Sequence, residues 1–185
     1  MLESLRRVVT GHDCEMKSTV WLDGPPVNFF ELQGHGLAEI WSASATAPSL
    51  RRDEDASLGP LRLEPLPGGI KFRYFAVAPE KRNASDEEKA AAEAFVDSGF
   101  SMIGASHCRI DTSRHPAMHR TQTLDFIVVV SGEVSLLLDE SEIHLKPGDT
   151  VVQRGTNHGW VNYGDEPALL VAVLLDAGTG PRPAA

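Results

Sequence analysis

From Cys108 onward the sequence breaks into short apolar runs at near-regular spacing, and this constrains the fold more than anything else in it. The runs are 121–130, 133–138, 142–145, 150–154, 158–162 and 168–175. Between them stand turn residues: Ser131-Gly132, Asp139-Glu140, Pro147-Gly148-Asp149, Gly155 and Gly164-Asp165. Strands recurring every eight to twelve residues or so, with Gly and Asp at the corners, predict an antiparallel sandwich or barrel. The first hundred residues are mixed. Strand-like runs lie at 6–10, 18–22, 37–41 and 70–78, divided by turns such as Asp23-Gly24-Pro25-Pro26. Residues 42–69 are rich in Ser, Pro and charge and predict a long surface loop. One helix is expected: Ser85 and Glu88 form a capping box, Ala91/Phe95 and Ala92/Val96 supply i, i+4 pairs, and Gly99 stands where a stop belongs.

Alternate residues of a strand face one side, so His119, Thr121, Thr123 and Asp125 share a face, continued by Ile127 and Val129. An imidazole, two hydroxyls and a carboxylate in a row are costly to bury without partners. A polar mouth above an apolar barrel interior accommodates them. By the same parity His158, Trp160 and Asn162 share a face, just after the turn at Gly155. Two His and one carboxylate from neighbouring strands suit a divalent cation with open coordination positions. The alternative is a metal-free polar pocket.

The excess of 26 acidic over 17 basic residues gives a net charge of −9, a field that repels phosphate backbones and anionic membranes. Nucleic acid and membrane are therefore not expected as partners. The apolar run 168–175 is too short to span a bilayer and the N-terminus lacks a signal-peptide pattern, so the compartment expected is the cytoplasm. Cys14 and Cys108 read as two buried thiols. His12, His35, His107 and His144 carry no spacing signal.

Residues 119–162 resemble the two motifs of the cupin superfamily. The first is HxH, an acid about four residues on, and a Gly seven beyond it; His119, Asp125 and Gly132 fit. The second is a Gly followed by PxGxxHxxxN; Gly148, Gly155, His158 and Asn162 fit. The wording "MHRTQTLDF" and "VVQRGTNHGWVN", with "RRVVTGHD" at the start, is similar to single-domain "cupin 2" conserved-barrel proteins with an N-terminal extension. Three departures stand out: Thr121 replaces the second His, Asp125 the usual Glu, and Gln153 the motif Pro.

The resemblance implies an all-β fold, a cupin-type double-stranded β-helix (jelly-roll barrel) with one short helix. Residues 1–105 would pack on or complete the barrel, 106–178 would form its core, and 179–185 a disordered tail. It implies a divalent metal (Fe, Zn, Mn or Ni) on His119, Asp125 and His158. His115, Thr121, Thr123, Gln153, Trp160 and Asn162 are further metal or pocket candidates. The function implied is a metal-dependent enzyme on a small organic acid or carbonyl compound, of decarboxylase, lyase or dioxygenase type. The alternative is a non-catalytic module that binds a small ligand. A homodimer is expected, with Phe126, Val128 and Val130 as one contributing face.

Overall fold

The computed structural model describes residues 1–50 and 54–178. The tail expected at 179–185 lies outside the described residues. Eleven strands and one helix are seen among them. β1 (Arg7–His12) and β2 (Ser18–Gly24) form a separate hairpin. β3 (Asn28–Leu32), β4 (His35–Ser44) and β5 (Gly69–Val77) join β11 (Ala168–Asp176), β6 (Thr123–Ser131) and β9 (Thr150–Arg154) in a six-stranded sheet ordered β3-β4-β5-β11-β6-β9. β10 (His158–Val161), β7 (Val134–Leu138) and β8 (Glu142–Leu145) form a three-stranded sheet. All strand pairs are antiparallel.

Both larger sheets send side chains into one core. It is built from Val77, Ile127, Val129, Leu170, Ala172 and Leu174 on the large sheet and Val134, Leu136 and Leu145 on the small one. This is the jelly-roll barrel, with β3 to β5 from the first half of the chain lying in the same sheet as β11, β6 and β9. β7 is buried on both faces because Met118, packed with Leu137, Val161 and Tyr163, covers its outer side. On β6, Phe126, Val128 and Val130 point outward and stay exposed, as does Val152 on β9.

β3 went unforeseen in the sequence. It pairs with β4 through a two-residue turn, Gln33-Gly34, in which both residues have positive φ. That twist suits a hairpin, but Gln is not one of the side chains that advertise it.

The helix α1 (Asp86–Met102) has the capping box at Ser85 and Glu88. It is 17 residues long and runs through Gly99 for one more turn. Phe100 packs in a cluster with Ile103, Leu37, Leu61 and Leu63, which carries the last turn onward, and the positive-φ glycine that follows is Gly104. No residue of α1 is fully buried; it is held by Phe95 against His35, by Phe100 against His119, and by Asp97 accepting from Arg109 Nη1 at 2.7 Å. Residues 45–50 and 54–68 hold no helix or strand, so the loop expected over 42–69 is shorter, its first three residues continuing β4 and its last opening β5. No helix among the described residues is long and apolar enough to cross a membrane.

Candidate functional site

Strand register places a polar layer at one end of the barrel. Lys71, Leu174, Asp125 and Gln153 lie opposite one another across β5, β11, β6 and β9, and all four side chains are buried. The next inward row, Arg73, Ala172, Ile127 and Val151, already turns apolar toward the core. Thr121 and Thr123 stand at the same end, buried, with their hydroxyls 2.7 Å apart. The alternation from His119 to Asp125 is therefore real: each odd residue is buried, while Arg120 and Gln122 are exposed.

His119 lies outside β6. It meets His158 through a two-residue backbone bridge, each residue's N–H donating to the other's carbonyl at 2.8 and 2.9 Å. The bridge sets the two imidazoles side by side, tilted by 48° with ring centroids 4.3 Å apart. Each ring is oriented by the carbonyl two residues before it. His119 Nδ1 is 2.9 Å from Ala117 O, and His158 Nδ1 is 3.0 Å from Thr156 O. A carbonyl only accepts, so the proton of His119 sits on Nδ1 and its Nε2 presents a lone pair; His158 Nδ1 has the Gln153 amide N–H₂ at 3.1 Å beside it as well as the Thr156 carbonyl. Gln153 supports the arrangement by donating to the Thr156 carbonyl and hydroxyl.

Burial holds both rings neutral. It lowers the pKa of His119, and it pushes that of His158 down to about 3 with help from the neighbouring His119. A base that weak is poorly matched to proton abstraction near neutrality, whereas a metal ligand must be the neutral imidazole. The walls are aromatic. Phe100 of α1 lies 5.0 Å edge-on to His119, Trp160 6.1 Å edge-on to His158, and Phe75 5.7 Å from Trp160.

Asp125 is the least satisfied group in this layer. Its Oδ1 is buried with no hydrogen-bond partner. Burial pushes its carboxyl up to about 6 against the Thr123 hydroxyl and the charge of Arg73. Among the described residues, however, the set of three His, Cys, Asp or Glu whose ligand atoms fall within 4.8 Å of one another is Glu64, His107 and Cys108. Asp125 thus does not close on the two imidazoles to that distance.

Two other candidates are occupied. His115 Nδ1 accepts from the Ala117 N–H at 3.1 Å, and its Nε2 meets the Glu80 carboxylate at 3.1 Å, so neither nitrogen is free. Asn162, fully buried, donates to Val77 O and Glu166 O and accepts from the Gly164 N–H. Its side chain clamps the turn before β11 and ties β10 to the end of β5.

The sequence reading overlooked three charged residues beside this layer. Glu39 on β4, 1% exposed, accepts from Arg73 Nε at 2.8 Å and Nη2 at 3.0 Å and from Lys71 Nζ. Arg73 also donates to the carbonyls of Arg62 and Leu63, pinning the 54–68 loop. The alternation Lys71, Arg73, Phe75, Val77 was readable as a strand face. The neighbouring strand β4, which brings Glu39 against it, shows that it turns inward.

Residues 107–174 match the family model described as "Cupin domain". Over 84 residues the chain is 44% identical to the Phomopsin biosynthesis cluster protein C' of Diaporthe leptostromiformis, a match covering 43% of this chain and 44% of that one. Over 63 residues it is 41% identical to the cupin-domain-containing oxidoreductase fogC of Aspergillus ruber, covering 32% and 31%. The chain thus spans less than half the length of these curated relatives. A solved Cupin 2 conserved barrel domain protein from Salinispora arenicola aligns over 81% of this chain and 82% of its own, at 16% identity and a TM-score of 0.41. Residues 107–174, which carry both histidines of the paired-imidazole site, form a cupin domain.

Proposed function

We propose that the polar end of the barrel holds a divalent metal ion on Nε2 of His119 and His158 and acts on a small organic acid or carbonyl compound. The observation that carries this reading is the pair of buried neutral imidazoles with centroids 4.3 Å apart, the His119 proton fixed on Nδ1 by a backbone carbonyl and its Nε2 left bare. Such outer hydrogen bonds are the usual way a ligating His is oriented. A bound ion of this kind, Fe, Zn, Mn or Ni, would polarise a substrate oxygen as a Lewis acid. Asp125 Oδ1, buried and without a partner, accepts from a substrate hydroxyl or completes the ion's surroundings. Phe75, Trp160 and Phe100 give the substrate an apolar wall and keep bulk water from the imidazoles. The names of the relatives, biosynthesis-cluster proteins and cupin-domain oxidoreductases, favour small-molecule chemistry. The reaction types that fit are decarboxylation, lyase and dioxygenase chemistry.

A second reading has its own observation. Thr121 fills the place of a motif ligand, and Asp125 stands off from the imidazole pair. A site with two ligands in place suits a barrel that binds a small acid without turning it over.

Metal analysis of protein purified without a His tag tests the first reading. The expected result is bound metal that falls by one equivalent in His158→Ala. Protein free of metal, whose thermal shift with small acids ignores added metal, refutes that reading and supports the second.

A further inference from the structure

A second cluster with metal-ligand chemistry lies elsewhere in the fold. Glu64 comes from the 54–68 loop, and His107 and Cys108 from the short 3-10 turn Ser106–Cys108 that follows α1. His107 Nε2 lies 2.9 Å from Glu64 Oε2 and 3.5 Å from Cys108 Sγ. Nothing in the cupin motifs accounts for these residues.

We propose that Glu64, His107 and Cys108 form a zinc-type site with one thiolate, one imidazole and one carboxylate, its fourth position open to solvent. Zinc bonds of about 2.3 Å to sulfur and about 2.0 Å to nitrogen at a tetrahedral angle separate the two ligand atoms by about 3.5 Å, the spacing present here. The Glu64 to His107 contact is a hydrogen bond and opens by a few tenths of an ångström to admit the ion. The carboxylate is held from behind, because the Gln122 N–H donates to Glu64 Oε1 at 3.3 Å. Buried in an apolar cluster with Phe100 and Leu37, the Cys108 thiol has no route to ionise in water. The ion supplies one: it takes the thiolate, and one proton leaves to solvent. The His107 proton moves from Nε2 to Nδ1 on the same ring. A +2 ion with one thiolate and one carboxylate then leaves the site neutral. His107, 67% exposed in its side chain, gives the ion its entry.

The consequence is mechanical as well as chemical. The ion would link the 54–68 loop to the segment after α1, and both pack around Phe100, the aromatic wall over His119. It would staple the cover of the barrel mouth.

Cobalt titration of metal-stripped full-length protein tests this without reference to activity or to the barrel histidines. In a Cys14→Ser background, Co²⁺ added to two equivalents, enough to fill the barrel site as well, should raise a thiolate-to-metal charge-transfer band in the near ultraviolet. The band should vanish in Cys108→Ser, and Co²⁺ affinity should fall at least 10-fold in His107→Asn and Glu64→Gln. His119→Ala should leave the band intact. The asparagine and glutamine variants sit at exposed or half-buried positions, so they report even where Cys108→Ser fails to fold. Absence of the band in the Cys14→Ser protein overturns the proposal. So does a band indifferent to His107→Asn and Glu64→Gln, or one lost with His119.

Discussion

Replacing Glu39 by Gln should be among the most damaging single changes in this protein. Glu39 is 1% exposed and is the carboxylate shared by Lys71 and Arg73, whose side chains are 9% and 3% exposed. Glutamine keeps the volume and one acceptor oxygen but turns an amide N–H₂ toward two buried cations. Breaking a buried ion pair by removing one partner costs about 3–5 kcal/mol, because the remaining charge stays desolvated. Two cations share this one acid, so the upper part of that range applies. Against a total stability of about 5–15 kcal/mol for a domain, the loss is a large fraction. With a urea slope of about 2 kcal/mol per molar, the unfolding midpoint should fall by about 2 M. The control is Glu15→Gln, which removes a pair exposed by 73% and 66% and should cost at most about 1 kcal/mol. Equal midpoints for the two variants would falsify the account of the buried triad as a structural element.

Two other predictions concern the N-terminal strands. Asp55 accepts from Arg7 Nη1 and Nη2 at 2.7 and 2.6 Å and from the Ser57 hydroxyl, and the Arg7 bond leads in lowering its pKa to about 2 from the ordinary 3.8. A carboxyl depressed in the folded state stabilises it above the unfolded value, so this contribution, about 1–2 kcal/mol near the surface, is full above about pH 4 and lost as pH falls toward 2. Urea unfolding at pH 5 and pH 2.5 should show that slope reduced in Asp55→Asn; an unchanged slope refutes the assignment. Gly36→Ala should also destabilise, because a Cβ there would meet Phe30 O at 2.2 Å and Glu31 Cα at 2.9 Å, both backbone of the paired strand β3. A cost of about 1–3 kcal/mol, read as a melting point lowered by about 2–4 °C per kcal/mol, is expected. Gly24→Ala, with nothing within 4 Å, should be close to neutral, and equal effects at the two sites would refute the steric argument.

Much of this architecture was legible locally. Strand length, turn glycines and two-residue alternation depend on neighbours a few positions apart, so β6 to β11 and the capping box of α1 were readable from the chain. The common face of His119, Thr121, Thr123 and Asp125 follows from the same alternation. Pairing is a different matter, since a strand's pattern does not say which strand lies beside it. The meeting of His119 with His158 needs a backbone bridge across 39 positions of sequence, and the tautomer of His119 follows from a carbonyl that only the fold presents. Position by position, Cys108 and Cys14 are the same residue type, yet one is buried and the other exposed. Likewise the run 70–78 does not say what its charged side chains meet; β4 brings Glu39 opposite Arg73 and against Lys71. Local chemistry determined which segments are strands and which side chains share a face. Tertiary structure decided which faces meet, because burial, and with it the protonation and bonding of every charged group, is set by residues distant in the chain.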